Sequence, residues 1–106
     1  MNTLLIMYIT TPSQEEATEI ATMLLEKKLI ACANTFPVNS TYWWNNAIQK
    51  GSEVVLLVKT FPHLFGKIKE EITAFHPHEV PLVAGFPAEV NDAYFSYMNN
   101  IIEINE

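Results

Sequence analysis

The chain has 106 residues, of which 49% are hydrophobic and 17% charged, with six lysines, no arginine, twelve carboxylates and a net charge of −6. This predicts one globular domain over residues 1–106 and excludes a disordered chain, which lacks the apolar side chains that offset backbone entropy. Nucleic acids and anionic membranes are bound largely through lysine and arginine, so an acidic chain without arginine argues against both partners.

A single cysteine, Cys32, and an N-terminal segment without signal-peptide features favour a reducing compartment. One thiol cannot form an intrachain disulfide, and residues 1–11, MNTLLIMYITT, lack the basic start and small-residue cleavage site of a signal peptide. No apolar run reaches the length of a membrane span. We therefore expect a cytoplasmic protein.

The first two predicted elements are a strand and a helix. Residues 3–10 are apolar and β-branched, as in a strand buried on both faces. Ser13 precedes Glu16 by three positions, the spacing of a capping box at the start of a helix. The apolar residues that follow at helical spacing are Ala17, Ile20, Ala21 and Leu24.

Two strands and a turn are predicted in the middle of the chain. Residues 31–45 have the pattern of a long, interrupted strand, with Pro37 at an edge position or a bulge. Residues 45–51, NNAIQKG, are predicted to form the turn. Residues 52–60, SEVVLLVKT, are the clearest strand in the sequence.

The last part of the chain predicts two helices and a strand between them. Pro62 suits the first turn of the second helix, residues 79–86 form a fourth strand, and Asp92 caps a final helix. The second helix has one apolar face of Phe65, Ile68, Ile72 and Phe75, and the final helix contains Tyr94, Tyr97, Met98 and Ile101.

The order of elements predicts the fold class. Right-handed crossovers on a β-α-β-β-α-β order give the ferredoxin-like α+β sandwich, in which two helices cover one face of an antiparallel sheet. The final helix then follows as a C-terminal addition.

This sheet has more apolar surface than two helices can cover. Side chains alternate along residues 52–60, so Val55 and Leu57 are expected on the face away from the helices. Burial of one large apolar side chain contributes about 1.5–3 kcal/mol, so a wet second face is costly. Either the terminal helix and loops cover this face, or sheets of identical subunits pack together; we favour the homo-oligomer.

Three segments carry a resemblance to a known family: KKLIACAN (27–34), STYWWNNAIQKGSEVVLLVKT (40–60) and HPHEVP (76–81). With them, the chain resembles the CutA divalent-cation tolerance proteins over nearly its whole length. The resemblance implies a ferredoxin-like subunit and a homotrimer similar in architecture to PII signalling proteins, with clefts between subunits. It also implies a link to copper and other divalent metals.

The sequence departs from the family pattern at three positions. The usual motif is close to H-P-Y-E-V-P-E, and here His78 replaces the tyrosine and Leu82 the second glutamate. Some members carry a cysteine in the first strand where this chain has Ile9. Of a copper site built on that cysteine and glutamate, only His76 remains, with His78 as a new candidate ligand.

His76 and His78 are the predicted metal ligands. Pro77 restricts His76 to an extended backbone, which places both imidazoles on one side and Glu79 on the other. Imidazole suits Cu(II), Ni(II) and Zn(II), and no tightly bound cofactor other than such an ion is expected. A third ligand, from His63 or a neighbouring subunit, is not visible in the sequence. In the alternative interpretation the segment is a rigid connector, with His76 bonded to the helix end.

A second candidate site is a cleft between subunits, which in a PII-like scaffold would bind a small anionic ligand or a partner protein. Its predicted residues are Tyr42, Trp44, Lys59 and Glu79. Alternatively, the aromatics fill an interface and Lys59 forms an ion pair.

Cys32 is expected to be structural, because no activating partner is evident. No phosphate loop, serine–histidine–acid set or zinc-type cysteine spacing is present, so we predict a binding protein and not an enzyme.

Overall fold

The computed structural model describes residues 2–75 and 81–102. Within them it forms β1 (Thr3–Thr11), α1 (Gln14–Glu26), β2 (Cys32–Trp44), β3 (Ala47–Thr60), a 3₁₀ turn (Pro62–Leu64), α2 (Phe65–Phe75), β4 (Val83–Glu89) and α3 (Asp92–Ile101). The predicted α+β class and element order are confirmed. In this part of the chain, no helix has both the length and the apolar character needed to cross a membrane.

The four strands form one antiparallel sheet in the order β2-β3-β1-β4. β2 is an edge strand, and Pro37 lies inside it opposite Val54. The strand is continuous and not interrupted, because an edge strand leaves one side free of ladder hydrogen bonds that proline cannot donate. The predicted edge position of Pro37 is confirmed.

The hairpin between β2 and β3 has a two-residue turn. Asn45 and Asn46 have φ angles of 53° and 63°, and asparagine tolerates this left-handed conformation, which matches the twist of paired strands. The predicted turn over residues 45–51 is therefore wrong, since β3 already begins at Ala47. Residues 41–50 are all exposed, and the described residues span 46 × 25 × 21 Å, so the hairpin projects from the body.

Local capping was predicted correctly for α1 and wrongly for α3. The backbone N–H of Glu16 donates to Ser13 Oγ at 3.1 Å, which confirms Ser13 as the N-cap. The N-cap of α3 is Asn91, and Asp92 is the first helical residue. Asp92 does not cap because its Oδ1 accepts a hydrogen bond from Asn2 Nδ2 near the start of β1.

Helices α1 and α2 pack on one face of the sheet, called here the helix face. Its fully buried residues include Met7, Ile9, Ile20, Leu24, Leu56, Val58, Ile68 and Ile72. Phe75 was predicted on this face but is 41% exposed, because it is the last residue of α2. β4 covers Val83–Glu89 and not residues 79–86, of which 79 and 80 lie outside the described residues.

An ion-pair cluster connects the two helices of this layer. Lys27 Nζ lies 2.8 Å from Glu71 Oε1, and Lys67 Nζ lies 3.3 Å from Glu71 Oε2. The hydrogen bond from Lys27, then that from Lys67, lowers the pKa of Glu71 below its ordinary value. The end of α1 is therefore linked to α2 by a carboxylate that stays charged at neutral pH.

The opposite face of the sheet, called here the second face, is covered only in part. Helix α3 packs over one end of it, where the cluster comprises Leu4, Ala31, Phe61, Met98 and Ile102. Val55 lies on this face as predicted, and it is fully buried within the single chain because it belongs to an inner strand, between Phe36 and Thr10. The large side chains of this face that stay exposed are Phe36, Tyr42, Trp44 and Phe86.

Candidate functional site

A polar cluster lies on the second face, at the end of the sheet where β2 begins and β3 ends. Cys32 of β2 is the direct cross-strand partner of Lys59 of β3, so their side chains share a face. Lys59 Nζ donates to Asn34 Oδ1 at 2.6 Å and to Cys32 Sγ at 3.7 Å. The free, half-buried thiol of Cys32 therefore has a cation as its neighbour.

Helix α3 adds two phenols to this cluster. The rings of Tyr94 and Tyr97 pack with centroids 5.2 Å apart, and Tyr94 lies close enough to Cys32 for the two groups to interact electrostatically. Burial, followed by the charge of Cys32 and its hydrogen bond, raises the pKa of Tyr94 to about 12. The phenol of Tyr94 therefore stays neutral to a higher pH than an ordinary tyrosine.

The raised pKa of Tyr94 predicts a loss of stability in alkali. Between about pH 10 and pH 12 the unfolded chain releases the phenol proton while the folded chain keeps it, so the free energy of unfolding falls as pH rises. Urea denaturation at pH 9 and pH 11.5 measures how much the free energy of unfolding falls between these two pH values. This fall should be about 1–2 kcal/mol smaller in Tyr94→Phe than in the wild type. Tyr42→Phe, on the exposed hairpin, is the control and should keep the full fall.

The predicted ligand cleft does not form within one chain. Tyr42 lies ten positions along β2 from Cys32, the cross-strand partner of Lys59, which is about 33 Å at strand spacing. Tyr42 and Trp44 are therefore remote from Lys59, and Glu79 lies outside the described residues. A cleft that contains both aromatics and Lys59 requires a second copy of the chain.

The predicted metal ligands His76 and His78 also lie outside the described residues. Residues 2–75 and 81–102 contain no group of three or more histidine, cysteine, aspartate or glutamate side chains placed to hold a metal ion. His63 is exposed and stacks on Phe61, with ring centroids 6.2 Å apart. The assignment of His76 and His78 stays a prediction.

A shallow groove of about 420 Å³ lies along the outer side of α1, on the helix layer. It is lined by Thr18, Glu19, Thr22, Met23, Glu26 and Phe75. None of these side chains is an imidazole or a thiol, so the groove adds no ligand of the type predicted for copper.

Sequence reasoning missed the contact between Cys32 and Lys59. It found no activating partner for the thiol, because alternation along a strand gives the face of each side chain but not the register between strands. The contribution of Tyr94 depends in addition on where α3 packs. The contact could have been predicted only by aligning residues 31–45 with residues 52–60 in the correct strand register.

The architecture defines a small α+β protein with a two-layer body, a projecting hairpin and a half-covered second face. A family model described as CutA1 divalent ion tolerance protein matches residues 5–101. The chain belongs to this family.

Curated relatives agree with this assignment along most of their length. The chain is 44% identical to the divalent-cation tolerance protein CutA of Archaeoglobus fulgidus over 82 residues, 77% of this chain and 80% of that protein. It is 41% identical to the protein of the same name in Thermus thermophilus over 95 residues, 88% of this chain and 92% of that protein.

Solved structures share the fold closely. The A. fulgidus protein, described as a periplasmic divalent cation tolerance protein, has a TM-score of 0.91 and 37% identity over 94% of this chain and 99% of its own. CutA1 of Pyrococcus horikoshii has a TM-score of 0.90 and 32% identity, with the same coverage.

Proposed function

We propose that this protein is a homotrimeric binding protein for divalent cations, with Cu(II) as its principal ligand. Membership of a divalent-ion tolerance family over residues 5–101 carries the proposal. The net charge of −6 supports it, because an acidic protein attracts cations. The relatives' names describe tolerance and no reaction, which supports a binding role over an enzymatic one.

The trimer is supported by the surface that a single chain leaves uncovered. Phe36, Tyr42, Trp44 and Phe86 are exposed on the second face, where α3 does not reach. Large apolar side chains left exposed along one sheet face are typical of contacts between proteins, and identical subunits close symmetrically. The antiparallel order β2-β3-β1-β4, with α1 and α2 on one face, supports a ferredoxin-like subunit as the unit that assembles.

The metal site is proposed at His76 and His78. Neutral imidazoles separated by one residue of extended chain face the same side and suit Cu(II). We expect the wild type to bind Cu(II) in titration calorimetry, and the double variant His76→Ala/His78→Ala to bind at least about tenfold more weakly. The exposed third histidine of the sequence provides the control, and His63→Ala should retain the wild-type isotherm.

Identical isotherms for the wild type and the double variant would remove the proposed site. Equal losses in the double variant and in His63→Ala would instead indicate either that His63 is the third ligand or that surface imidazoles bind Cu(II) non-specifically, and the number of ions bound per chain separates the two. Titration with Zn(II) and Ni(II) under the same conditions ranks the metals.

Two other expectations are proposed on narrower grounds. A cytoplasmic location rests on the single cysteine, which cannot form an intrachain disulfide; the A. fulgidus relative is described as periplasmic, which is a statement about that protein. The PII-like scaffold with a small anionic ligand rests on the resemblance alone, and the relatives' names add no support to it.

A further inference from the structure

The strands carry two charged side chains on the second face, Glu53 and Lys59, both in β3. Side-chain alternation and the cross-strand register place the other charged residues of the four strands, Lys50 and Glu89, on the opposite side. Glu53 and Lys59 are each half-buried already in the single chain. One anion and one cation therefore lie on a strand surface that is otherwise uncharged.

Neither of these charges has an opposite charge beside it in its own chain. In the described part of the chain, Lys59 Nζ donates to Asn34 Oδ1 at 2.6 Å and to a thiol, and Glu53 Oε1 accepts from Ser40 Oγ at 2.5 Å. The ion pairs found there lie on the helix layer. Six residues of strand separate Glu53 from Lys59, which is about 20 Å, so the two side chains cannot meet within one chain.

The two charges belong to different parts of the subunit. β1 pairs with β3 from Val54 to Thr60, so Glu53 lies at the base of the projecting hairpin and Lys59 lies in the four-stranded body. If the hairpin of one copy crosses the body of the next, two different surfaces meet, and such a contact can close into a ring. Each subunit then offers Glu53 to one neighbour and Lys59 to the other.

We propose that Glu53 forms an ion pair with Lys59 of the partner subunit, and that this pair sets the register in which the second faces pack. The inference rests on the proposed homotrimer and adds the residues that select how its copies meet. A second copy fits this face because it supplies the complementary charge on the same uncharged surface. Any other register buries one of the two charges without a partner, which is strongly unfavourable.

Charge reversal tests the pair. Subunit exchange between isotope-labelled and unlabelled protein, followed by native mass spectrometry, measures how fast subunits leave the assembly. Lys59→Glu and Glu53→Lys should each exchange at least about tenfold faster than the wild type, because like charges then meet in the contact. The double variant Lys59→Glu/Glu53→Lys restores opposite charges and should exchange within about threefold of the wild-type rate. Because the two positions are about 20 Å apart in one chain, such a rescue identifies a contact between chains.

Two matched variants reverse a charge elsewhere. Lys50→Glu changes the lysine on the other side of the hairpin, and Glu70→Lys changes an exposed glutamate of α2, so both should exchange at the wild-type rate. Circular dichroism verifies that each variant is folded. If a charge-reversed variant does not fold, Lys59→Met and Glu53→Gln replace the reversals. Each should then exchange faster than the wild type, and the combined variant should be less affected than the product of the two single effects.

The possible results separate this inference from the proposed homotrimer. A wild type that is monomeric in native mass spectrometry contradicts the homotrimer itself. An assembled wild type whose double variant exchanges as fast as the single variants overturns the ion pair and leaves the homotrimer standing. Unchanged exchange in both single variants also overturns the pair.

Discussion

Replacement of Trp44 by lysine is expected to dissociate the assembled protein. Trp44 is 41% exposed in the single chain and lies on the second face of the projecting hairpin. If its ring is buried between subunits, the substitution removes about 2 kcal/mol of apolar burial per subunit and adds a charge to the interface. Light scattering on a sizing column at micromolar concentration should show a fall from three times the 12.0 kDa chain mass towards the chain mass itself.

The neighbouring tryptophan provides a matched control. Trp43 is 70% exposed and lies on the opposite side of the same strand, paired with Ile48. Trp43→Lys makes an identical chemical change without altering the second face, so this variant should remain assembled. An unchanged mass for Trp44→Lys, or a wild type that is already monomeric, would contradict assembly through this face.

Replacement of Ile72 by alanine is expected to produce the largest loss of folding stability among these variants. Ile72 is fully buried in α2, in the cluster that joins both crossover helices to the helix face of the sheet. Truncation leaves a cavity that rigid neighbours fill only in part, which costs about 2–5 kcal/mol. Urea denaturation at one fixed chain concentration measures this loss, because unfolding of an oligomer depends on concentration.

Phe75→Ala is the control for this prediction. Phe75 belongs to the same helix and loses more atoms on truncation, yet 41% of its surface is exposed at the end of α2. Its loss should be smaller than that of Ile72→Ala. A larger loss for Phe75→Ala would indicate that its ring is buried in the assembled protein and would identify this end of α2 as a contact.

The candidate site was only partly predictable from the sequence. Cys32, which was expected to be structural, and Lys59, which was assigned to the ligand cleft, were both named from the sequence, but their contact was not predicted. The cleft of Lys59 with Tyr42 and Trp44 was predicted between subunits, and one chain alone cannot form it, because about 33 Å of hairpin separates Lys59 from Tyr42. Side chains that share a strand face can still lie far apart along it.

The sequence by itself determined the elements that depend on neighbours along the chain. Ser13 caps α1 through a hydrogen bond to a residue three positions away, and the helical spacing of Ile20 and Leu24 places both in the core. Strand alternation likewise separated Leu56 and Val58 from Lys59. These features follow from local hydrogen bonding and from the periodicity of each element.

Only the tertiary structure decided which elements meet. The register between β2 and β3 brings Lys59 to Cys32, and the packing of α3 on the second face brings Tyr94 to the same thiol and covers Leu4. Strand register and helix docking depend on which partners bury the most apolar surface across the whole chain, and no local pattern contains that comparison. The short turn at Asn45 has the same origin, because pairing of the flanking strands extended β3 to Ala47.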